Sequence, residues 1–355
     1  MLDLDNRTEW AAGLYPGWDR ERAPQMTLVF KTAWRFDDDG RLEPEPLPLV
    51  EADAHYGKPH ESSLRAACET VPFKQGGELL LQGTAHPARS GDRHALAGVE
   101  IDFPDGRRFR KRVAVFGRRR WRRGLLGPVP GDPEPMEPTP LRYEQAFGGA
   151  DPKAPGERWP LNPVGMGWAG RTRRVAGLEL PRLERPDQLI TRPGQCPQPA
   201  GFGPLPVFWQ PRADEAGSPA EEPETQGGCP WGADAEPVLH NCAPPDQRFP
   251  QPFVGGERIR LQGLFPARPA GEPLSLTVPR LMPRPGLFVA GRATPLQPVC
   301  DTLLIDTDAR TLALVWRVGI PWRRLDPRQG WVVLEDATLN ADRAPAPQRV
   351  REARA

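Results

Sequence analysis

Cysteine is scarce in this sequence, and long apolar runs are missing. The 355 residues include five cysteines, and none of them forms a Cys-x-x-Cys pair. Scattered thiols in an odd number favour a reducing compartment over a disulfide framework. No stretch approaches the roughly 18 apolar residues of a membrane span, and the first residues lack the basic and apolar regions of a secretory signal. We therefore expect a cytoplasmic protein with no membrane contact.

An excess of charge is also missing. The chain has 47 Lys and Arg residues against 46 Asp and Glu, which leaves a net charge of +1. The molecule as a whole therefore exerts no strong attraction on nucleic acid or membranes, and any charge effect must be local. No cofactor, metal or catalytic site is predicted, and we expect a protein that is not an enzyme.

Proline and glycine, by contrast, are abundant. Of the 47 prolines, 25 lie between Gly124 and Pro250, among short clusters of aromatic, glycine and amide residues. Proline removes a backbone donor and restricts the residue before it, so long regular elements are excluded from this span. The 11 Trp and 13 Phe residues argue against global disorder, because disordered chains are poor in large aromatics.

Outside the Pro-rich span the pattern is typical of β-strands. Alternating or apolar runs with β-branched and aromatic residues predict strands, and Asp105-Gly106 between two such runs predicts a hairpin. Residues 61–69 offer the best short helical pattern. The predicted strands cover residues 26–36, 78–85, 99–103, 107–116, 258–261, 274–278, 287–290, 302–306 and 311–318.

An internal similarity suggests how these strands are organised. Pro72-Phe73-Lys74-Gln75-Gly76-Gly77-Glu78 resembles Pro252-Phe253-Val254-Gly255-Gly256-Glu257, and a predicted strand follows each copy. We predict a mainly β protein with two β-sandwich-like modules, related by internal duplication and joined by a long Pro/Gly-rich irregular segment. The modules are 1–123 and 251–338, the connector packed on them is 124–250, and 339–355 is a frayed tail. Chance recurrence in a Gly-rich β protein is the alternative.

The clusters in the connector predict a partner-binding surface. Prolines stiffen the loops and reduce the entropy lost on ordering, while aromatic residues are enriched at binding hot spots. Alternatively, the same residues pin the long loops to the β frame. The predicted partner-binding residues are Tyr143, Phe147, Asn162, Pro163, Trp168, Phe202, Trp209, Arg212, Asp246 and Gln247.

Two other features suggest different functions. Residues 107–123 hold ten basic side chains, which indicate a nucleic-acid contact, an acidic protein partner or the solvated face of an edge strand. The acidic residues at 214–224 offer an internal counter-charge. His240 and Cys242 suggest a Cys/His hydrolase, but no third, orienting group is visible. Zinc binding by these two residues with Cys196 and Cys229 has irregular spacing.

Taken together, the clusters resemble domain-of-unknown-function family 2169, whose members are encoded beside type VI secretion genes and act as accessory adaptors or chaperones. This resemblance implies binding to a toxic effector and to the VgrG spike with its PAAR tip, and no cofactor. Residues 213–232, acidic and Pro-rich, depart from the family pattern. The matching residues are Phe30-Lys31-Thr32, Tyr143-Glu144, Phe147-Gly148-Gly149, Asn162-Pro163-Val164-Gly165-Met166-Gly167-Trp168, Gly201-Phe202-Gly203-Pro204, Trp209, Pro211-Arg212, Ala243-Pro244-Pro245-Asp246-Gln247 and Gly255-Gly256-Glu257.

Overall fold

The chain folds mainly into β-strands, which confirms the predicted fold class. A computed structural model describes residues 2–170, 175–215, 236–266, 272–321 and 330–335. The strands are β1 (Asp3–Asn6), β2 (Ala11–Trp18), β3 (Pro24–Phe36), β4 (Leu42–Pro44), β5 (Ala54–His55), β6 (Leu64–Ala66), β7 (Gly77–Gln82), β8 (Thr84–Ala85), β9 (His94–Asp102), β10 (Arg108–Phe116), β11 (Trp121–Gly124), β12 (Gly127–Pro130), β13 (Thr139–Pro140), β14 (Phe147–Gly148), β15 (Ala150–Asp151), β16 (Ala154–Arg158), β17 (Met166–Gly167), β18 (Leu183–Glu184), β19 (Arg248–Phe249), β20 (Arg258–Gln262), β21 (Leu274–Thr277), β22 (Gly286–Val289), β23 (Arg292–Pro295), β24 (Val299–Asp306), β25 (Thr311–Pro321) and β26 (Gly330–Leu334).

Helices are short in the part of the chain that the structure describes. One α-helix, α1, covers Gln210–Glu215, and three 3-10 turns cover Tyr143–Gln145, Pro237–His240 and Pro245–Gln247. The helix predicted at residues 61–69 is wrong, because β6 lies there and pairs with β5. Within the described parts of 124–250 no strand exceeds five residues, as the density of proline predicts.

Three sheets form the frame. The largest has the order β19-β7-β24-β25-β3-β2, with β4 also paired to β3, and only β7 and β24 run parallel. The second has the order β18-β10-β9-β20-β21 and is antiparallel throughout. The third has the order β1-β26-β22-β23, in which β1 and β26 run parallel.

The two larger sheets share one hydrophobic core. Phe30 and Leu79 come from the first sheet, Ile101 and Val115 from the second, and all four are almost inaccessible to water. Burial of such apolar surface is the main favourable term in folding. Some side chains from the Pro-rich segment, among them Phe202, belong to the same core.

The two β modules predicted from the sequence interleave. Strand β7 begins within the first Gly-Gly-Glu copy and pairs with β24, while β20 begins directly after the second copy and pairs with β9. Long-range pairing of this kind is invisible to local periodicity. The two copies also touch, since a Cβ atom on Gly77 would lie 3.2 Å from the ring of Phe253. The internal duplication and the domain boundaries stay predictions, and the tail at 339–355 lies outside the described residues.

Candidate binding site

A cavity of about 410 Å³ lies in the connector, apart from the main core. Strands β11, β14 and β17 contribute to its wall, together with the loop that carries Leu180, Ile190 and Cys196. Three tryptophans and one phenylalanine make it strongly aromatic. The lining residues are Trp121, Phe147, Trp159, Gly167, Trp168, Ala169, Gly170, Val175, Leu180, Ile190, Gly194, Gln195 and Cys196.

The aromatic rings of the cavity pack in a chain. The ring of Trp159 lies 5.8 Å from that of Phe147, edge to face, and 5.9 Å from that of Trp168. Both tryptophans are half-buried. The indole N–H of Trp159 is buried and has no hydrogen-bond partner among the described residues. A buried donor of this kind usually has a partner, so a carbonyl brought by a ligand would stabilise this site.

Asn162 holds the two loops of the cavity together. Its side-chain amide donates to the carbonyl oxygens of Tyr143 at 2.8 Å and Phe147 at 3.1 Å, while its own backbone carbonyl accepts the N–H of Gly149 at 2.9 Å. A Cβ atom on Gly148, where φ is +149°, would lie 2.2 Å from that carbonyl oxygen. The Phe-Gly-Gly and Asn-Pro clusters therefore fit each other because no side chain larger than hydrogen has room.

Trp209 and Arg212 stabilise the following part of the connector through buried contacts. Trp209 is fully buried and meets the ring of Tyr143 edge to face at 5.3 Å. The Arg212 guanidinium donates to the carbonyl oxygens of Leu205 at 2.7 Å and Leu239 at 2.5 Å. Burial lowers the pKa of Arg212, opposed by Cys242 and other acidic groups. These side chains stabilise the loop and offer no free surface.

Gln247 ties the end of the connector to the large sheet. Its amide donates to the carbonyl oxygens of Leu79 at 2.6 Å and Phe202 at 2.9 Å, and its side-chain oxygen accepts a bond from Lys111 at 2.7 Å. Burial lowers the pKa of Lys111 to about 8, although Asp246 opposes the shift from 2.8 Å away. Asp246 itself is exposed.

The structure therefore separates the ten predicted binding residues into two groups. Tyr143, Phe147, Asn162, Phe202, Trp209, Arg212 and Gln247 are buried, which corrects the expectation that Phe202 and Trp209 are presented to a partner. Pro163 and Trp168 are half-buried, and Asp246 is exposed. Among the ten, only Phe147 and Trp168 line the aromatic cavity. Binding by the accessible residues stays a prediction.

The sequence reasoning missed Trp121 and Trp159 as cavity residues. Both are isolated tryptophans, and their surroundings carry no periodicity that would assign a face. The cavity also contains Gly167 and Gly170, which with Gly165 reproduce the spacing of a dinucleotide-binding fingerprint. That fingerprint requires a helix directly after the glycines, and no helix is described between Val175 and the start of α1. The glycines here belong to the loop packing.

Cys242 belongs to a buried polar network around Glu78, whereas the buried ring of His240 packs on Phe73 and its Nδ1 has no hydrogen-bond partner among the described residues. The Cys242 thiol donates to Glu78 Oε1 at 3.3 Å, and burial together with Glu78 raises its pKa to about 12. Burial and the nearby Arg317 and Lys74 lower the pKa of His240 to about 3. Its ring packs edge to face on Phe73 at 4.8 Å. A raised thiol pKa and a lowered imidazole pKa are the opposite of the shifts that activate a Cys/His nucleophile.

Metal ligands are not grouped in the described part of the chain. No set of three or more His, Cys, Asp or Glu side chains there is placed to hold a metal ion. Of the cysteines considered for zinc, Cys196 is exposed at the cavity and Cys242 is buried, while Cys229 lies outside the described residues.

The basic run at 107–123 is largely neutralised within the chain. Seven of its ten basic side chains form ion pairs: Arg107 with Asp105, Arg108 with Asp102, Arg110 and Arg112 with Glu100, Lys111 with Asp246, Arg119 with Glu184, and Arg122 with Asp132. The acidic residues at 214–224 do not supply these partners where the structure describes them. Glu215 pairs with Arg248 at 2.8 Å, and residues 216–235 lie outside the described part.

The fold defines a mainly β protein with an aromatic cavity formed by β11 and by residues of its Pro-rich connector. The family model for uncharacterized proteins conserved in bacteria (DUF2169) matches residues 21–317, and the chain belongs to this family. No curated protein matches the chain, and no solved structure matches it. Over the described residues, no helix is both long enough and apolar enough to cross a membrane.

Proposed function

We propose that this protein is a non-enzymatic adaptor or chaperone of the type VI secretion system, which binds a toxic effector and helps to load it onto the VgrG/PAAR spike. The observation that carries the binding role is the aromatic cavity around Trp159 and Trp168. Ligand sites are typically concave, apolar and furnished with a few polar groups, with volumes of about 300–1,000 Å³. The secretion role rests on the family resemblance, which implies that loading takes place in the cytoplasm before secretion.

The cavity suits an apolar side chain of a partner protein. Its tryptophan rings offer flat apolar area at a low cost in conformational entropy, because the loops that carry them are already fixed by Asn162 and by Phe147 packing. The buried N–H of Trp159 adds a donor for a backbone carbonyl of the same partner segment. An anchor residue with its adjoining peptide group would use both features.

The other functions considered receive less support from the geometry. A hydrolase at Cys242 would need a thiolate, whereas Glu78 and burial keep the thiol protonated. Nucleic-acid binding through residues 107–123 would need free cations, whereas most of these side chains already pair with carboxylates. Salt-dependent binding is the expected property of a nucleic-acid site, and we expect none here.

The proposal is tested by binding to a toxic effector protein of the type VI secretion system. Both proteins are purified separately, and the affinity is measured by calorimetry for the wild type and for Trp168→Ala. We expect about 30-fold weaker binding by the variant, since truncation of an aromatic hot spot costs about 2 kcal/mol or more. Addition of the cognate PAAR-tipped spike to the complex should yield a stable ternary assembly.

The matched control is Trp331→Ala. Trp331 is 45% exposed and stacks on Phe288 in the third sheet, so its loss removes a comparable aromatic surface elsewhere. Equal losses for the two variants would contradict a role for the cavity. The absence of any complex between the wild-type protein and the effector would overturn the adaptor function itself.

A further inference from the structure

A short hairpin of β11 and β12 ends in an apolar tip that is fully open to water. Gly124 pairs with Gly127, so Leu125 and Leu126 form a two-residue loop, and their relative exposures are 106% and 105%. Two-residue hairpin loops favour Asn-Gly or Asp-Gly, so the turn itself does not require leucine. These leucines bury nothing within the chain, and exposed apolar surface is typical of a contact with a protein or a membrane.

The unpaired positive charge of the basic run lies at this hairpin. Of the ten basic side chains at 107–123, three have no ion-pair partner in the described part of the chain, namely Arg118, Arg120 and Arg123. All three are exposed. Arg122 reaches Asp132 at 3.4 Å with more than half of each side chain in water, and such exposed pairs contribute little free energy.

Positive charge is least opposed near the tip. Residues 121–131 include Arg122 and Arg123 and no acidic residue. Glu134 and Glu179 lie beside the backbone of the other two arginines, at the base of the hairpin. The apolar tip is therefore followed along the hairpin by a segment whose charged side chains are all basic.

We infer that this hairpin binds the surface of a bilayer that contains anionic phospholipids. Leu125 and Leu126 enter the region of the acyl chains, while Arg122 and Arg123 contact the lipid phosphates. A strand rises about 3.3 Å per residue, so the two arginines lie about 7–10 Å behind the first leucine along the hairpin. Surface-bound segments enter a bilayer to a similar depth, about 5–10 Å, and anionic lipids attract basic side chains at that level.

Two features favour a lipid surface over a protein groove. Leucine is under-represented at the hot spots of protein interfaces, where aromatic residues are enriched. Pro128 and Pro130 in β12 lack a backbone N–H, and proline at a sheet edge discourages pairing with a further strand. A bilayer requires neither a matching pocket nor a free strand edge. Nucleic acid would offer phosphates to the arginines and no apolar surface to the leucines.

A surface contact of this kind is compatible with the composition of the chain. The expectation of no membrane contact rested on the net charge of +1 and on the lack of long apolar runs. Those are properties of the whole chain and of spanning segments, whereas a surface contact needs only a local group of apolar and basic side chains. It is also independent of the proposed adaptor function, because Leu125 and Leu126 do not line the aromatic cavity.

The test is co-sedimentation of the purified chain with vesicles of phosphatidylcholine, either alone or with one third phosphatidylglycerol. We expect the wild type to bind the mixed vesicles and to bind phosphatidylcholine alone far more weakly. Leu125→Ser/Leu126→Ser should weaken binding to the mixed vesicles at least about 30-fold, because both leucines are withheld from the acyl chains. Arg122→Gln/Arg123→Gln should weaken it about 30-fold, since each basic side chain near an anionic surface contributes about fivefold.

The matched control is Val254→Ser/Met282→Ser, which removes apolar side chains that are 65% and 55% exposed elsewhere. This variant should bind the mixed vesicles like the wild type. All three double variants should keep the wild-type unfolding midpoint in urea, because the replaced side chains are exposed.

Three results would overturn the inference. The first is a wild type that does not bind the mixed vesicles; a loss of affinity of the leucine variant for an effector protein, or of the arginine variant for a DNA duplex, would then assign the hairpin to that partner. The second is binding that the arginine substitutions abolish and the leucine substitutions leave unchanged, which would mean attraction by charge alone. The third is a control variant that loses as much binding as the leucine variant. The vesicle assay contains no effector, so its result stands whether or not the adaptor function holds.

Discussion

Replacing Glu78 by Gln should destabilise the protein strongly, because this carboxylate is the negative centre of a buried network. One oxygen contacts Lys74 and the thiol of Cys242, and the other accepts backbone N–H bonds from Cys242 at 3.0 Å and Ala243 at 3.1 Å. The exposures of the Lys74 and Glu78 side chains are 2% and 0%. Removal of one partner from such a pair leaves an uncompensated charge and costs about 3–5 kcal/mol.

The pH dependence of stability also shows how much the Glu78 carboxylate contributes to the free energy of unfolding. Burial acts to raise the pKa of Glu78, but Lys74 and the hydrogen bonds bring it from an ordinary 4.5 to about 2. The unfolded chain therefore binds this proton first as the pH falls. The contribution of Glu78 is complete above about pH 5 and is lost between there and about pH 2, and it amounts to about 3 kcal/mol at neutral pH.

The assay is urea unfolding followed by tryptophan fluorescence, at neutral pH and at a series of acidic pH values. At neutral pH the free energy of unfolding of the Glu78→Gln variant should be about 3–5 kcal/mol below that of the wild type. Towards acid pH it should fall less steeply than the wild-type value, because the variant lacks the titrating carboxylate. Asp105→Asn serves as the control, since that carboxylate is exposed and pairs with Arg107 at the surface. An unchanged unfolding midpoint for Glu78→Gln, or acid limbs that coincide with the wild type, would refute the reasoning.

Two further predictions use the same unfolding measurement. Trp209→Ala should lower the free energy of unfolding by about 3–5 kcal/mol because it empties a fully buried site. Trp331→Ala should change this free energy far less, since Trp331 is exposed. Equal effects of the two substitutions would contradict a stabilising role for buried Trp209. The wild type should also lose stability as the pH falls below about 6.5, because the unfolded chain protonates His240 while burial keeps the folded imidazole neutral down to about pH 3. His240→Leu should make this fall shallower between about pH 6.5 and 5, above the range in which Glu78 contributes.

The strands were largely predictable from the sequence, and their pairing was not. The runs at 26–36 and 311–318 correspond to β3 and β25, and the Asp105-Gly106 turn joins β9 and β10. Alternation and turn chemistry are local signals, so they specify such elements. The parallel pairing of β7 with β24 joins residues that are more than 200 positions apart, and nothing local encodes it. The pattern at 61–69 misled because its apolar residues satisfy a short strand equally well.

The candidate site was predictable only in part. The spacing of Phe147-Gly148-Gly149 and Asn162 marked a fixed loop structure, and the structure shows these residues fitted together. Which aromatics face inward could not be derived, because an irregular segment has no period of 2 or 3.6 that assigns a face. Trp209 and Trp168 therefore looked alike in the sequence, although one is inaccessible and the other is half-buried.

The positions of the motif residues bear on where partner specificity is encoded. The side chains of Asn162, Arg212 and Gln247 are buried and donate hydrogen bonds to backbone carbonyl groups, so they determine the shape of the connector and present no accessible polar group to a partner. A partner can therefore be recognised only by other side chains, which remain accessible at the surface. Trp168 in the cavity and Leu125 on the hairpin are such side chains. Substitutions of these accessible side chains should alter partner binding while the fold persists. Substitutions of Asn162, Arg212 or Gln247 should reduce both partner binding and the stability of the fold.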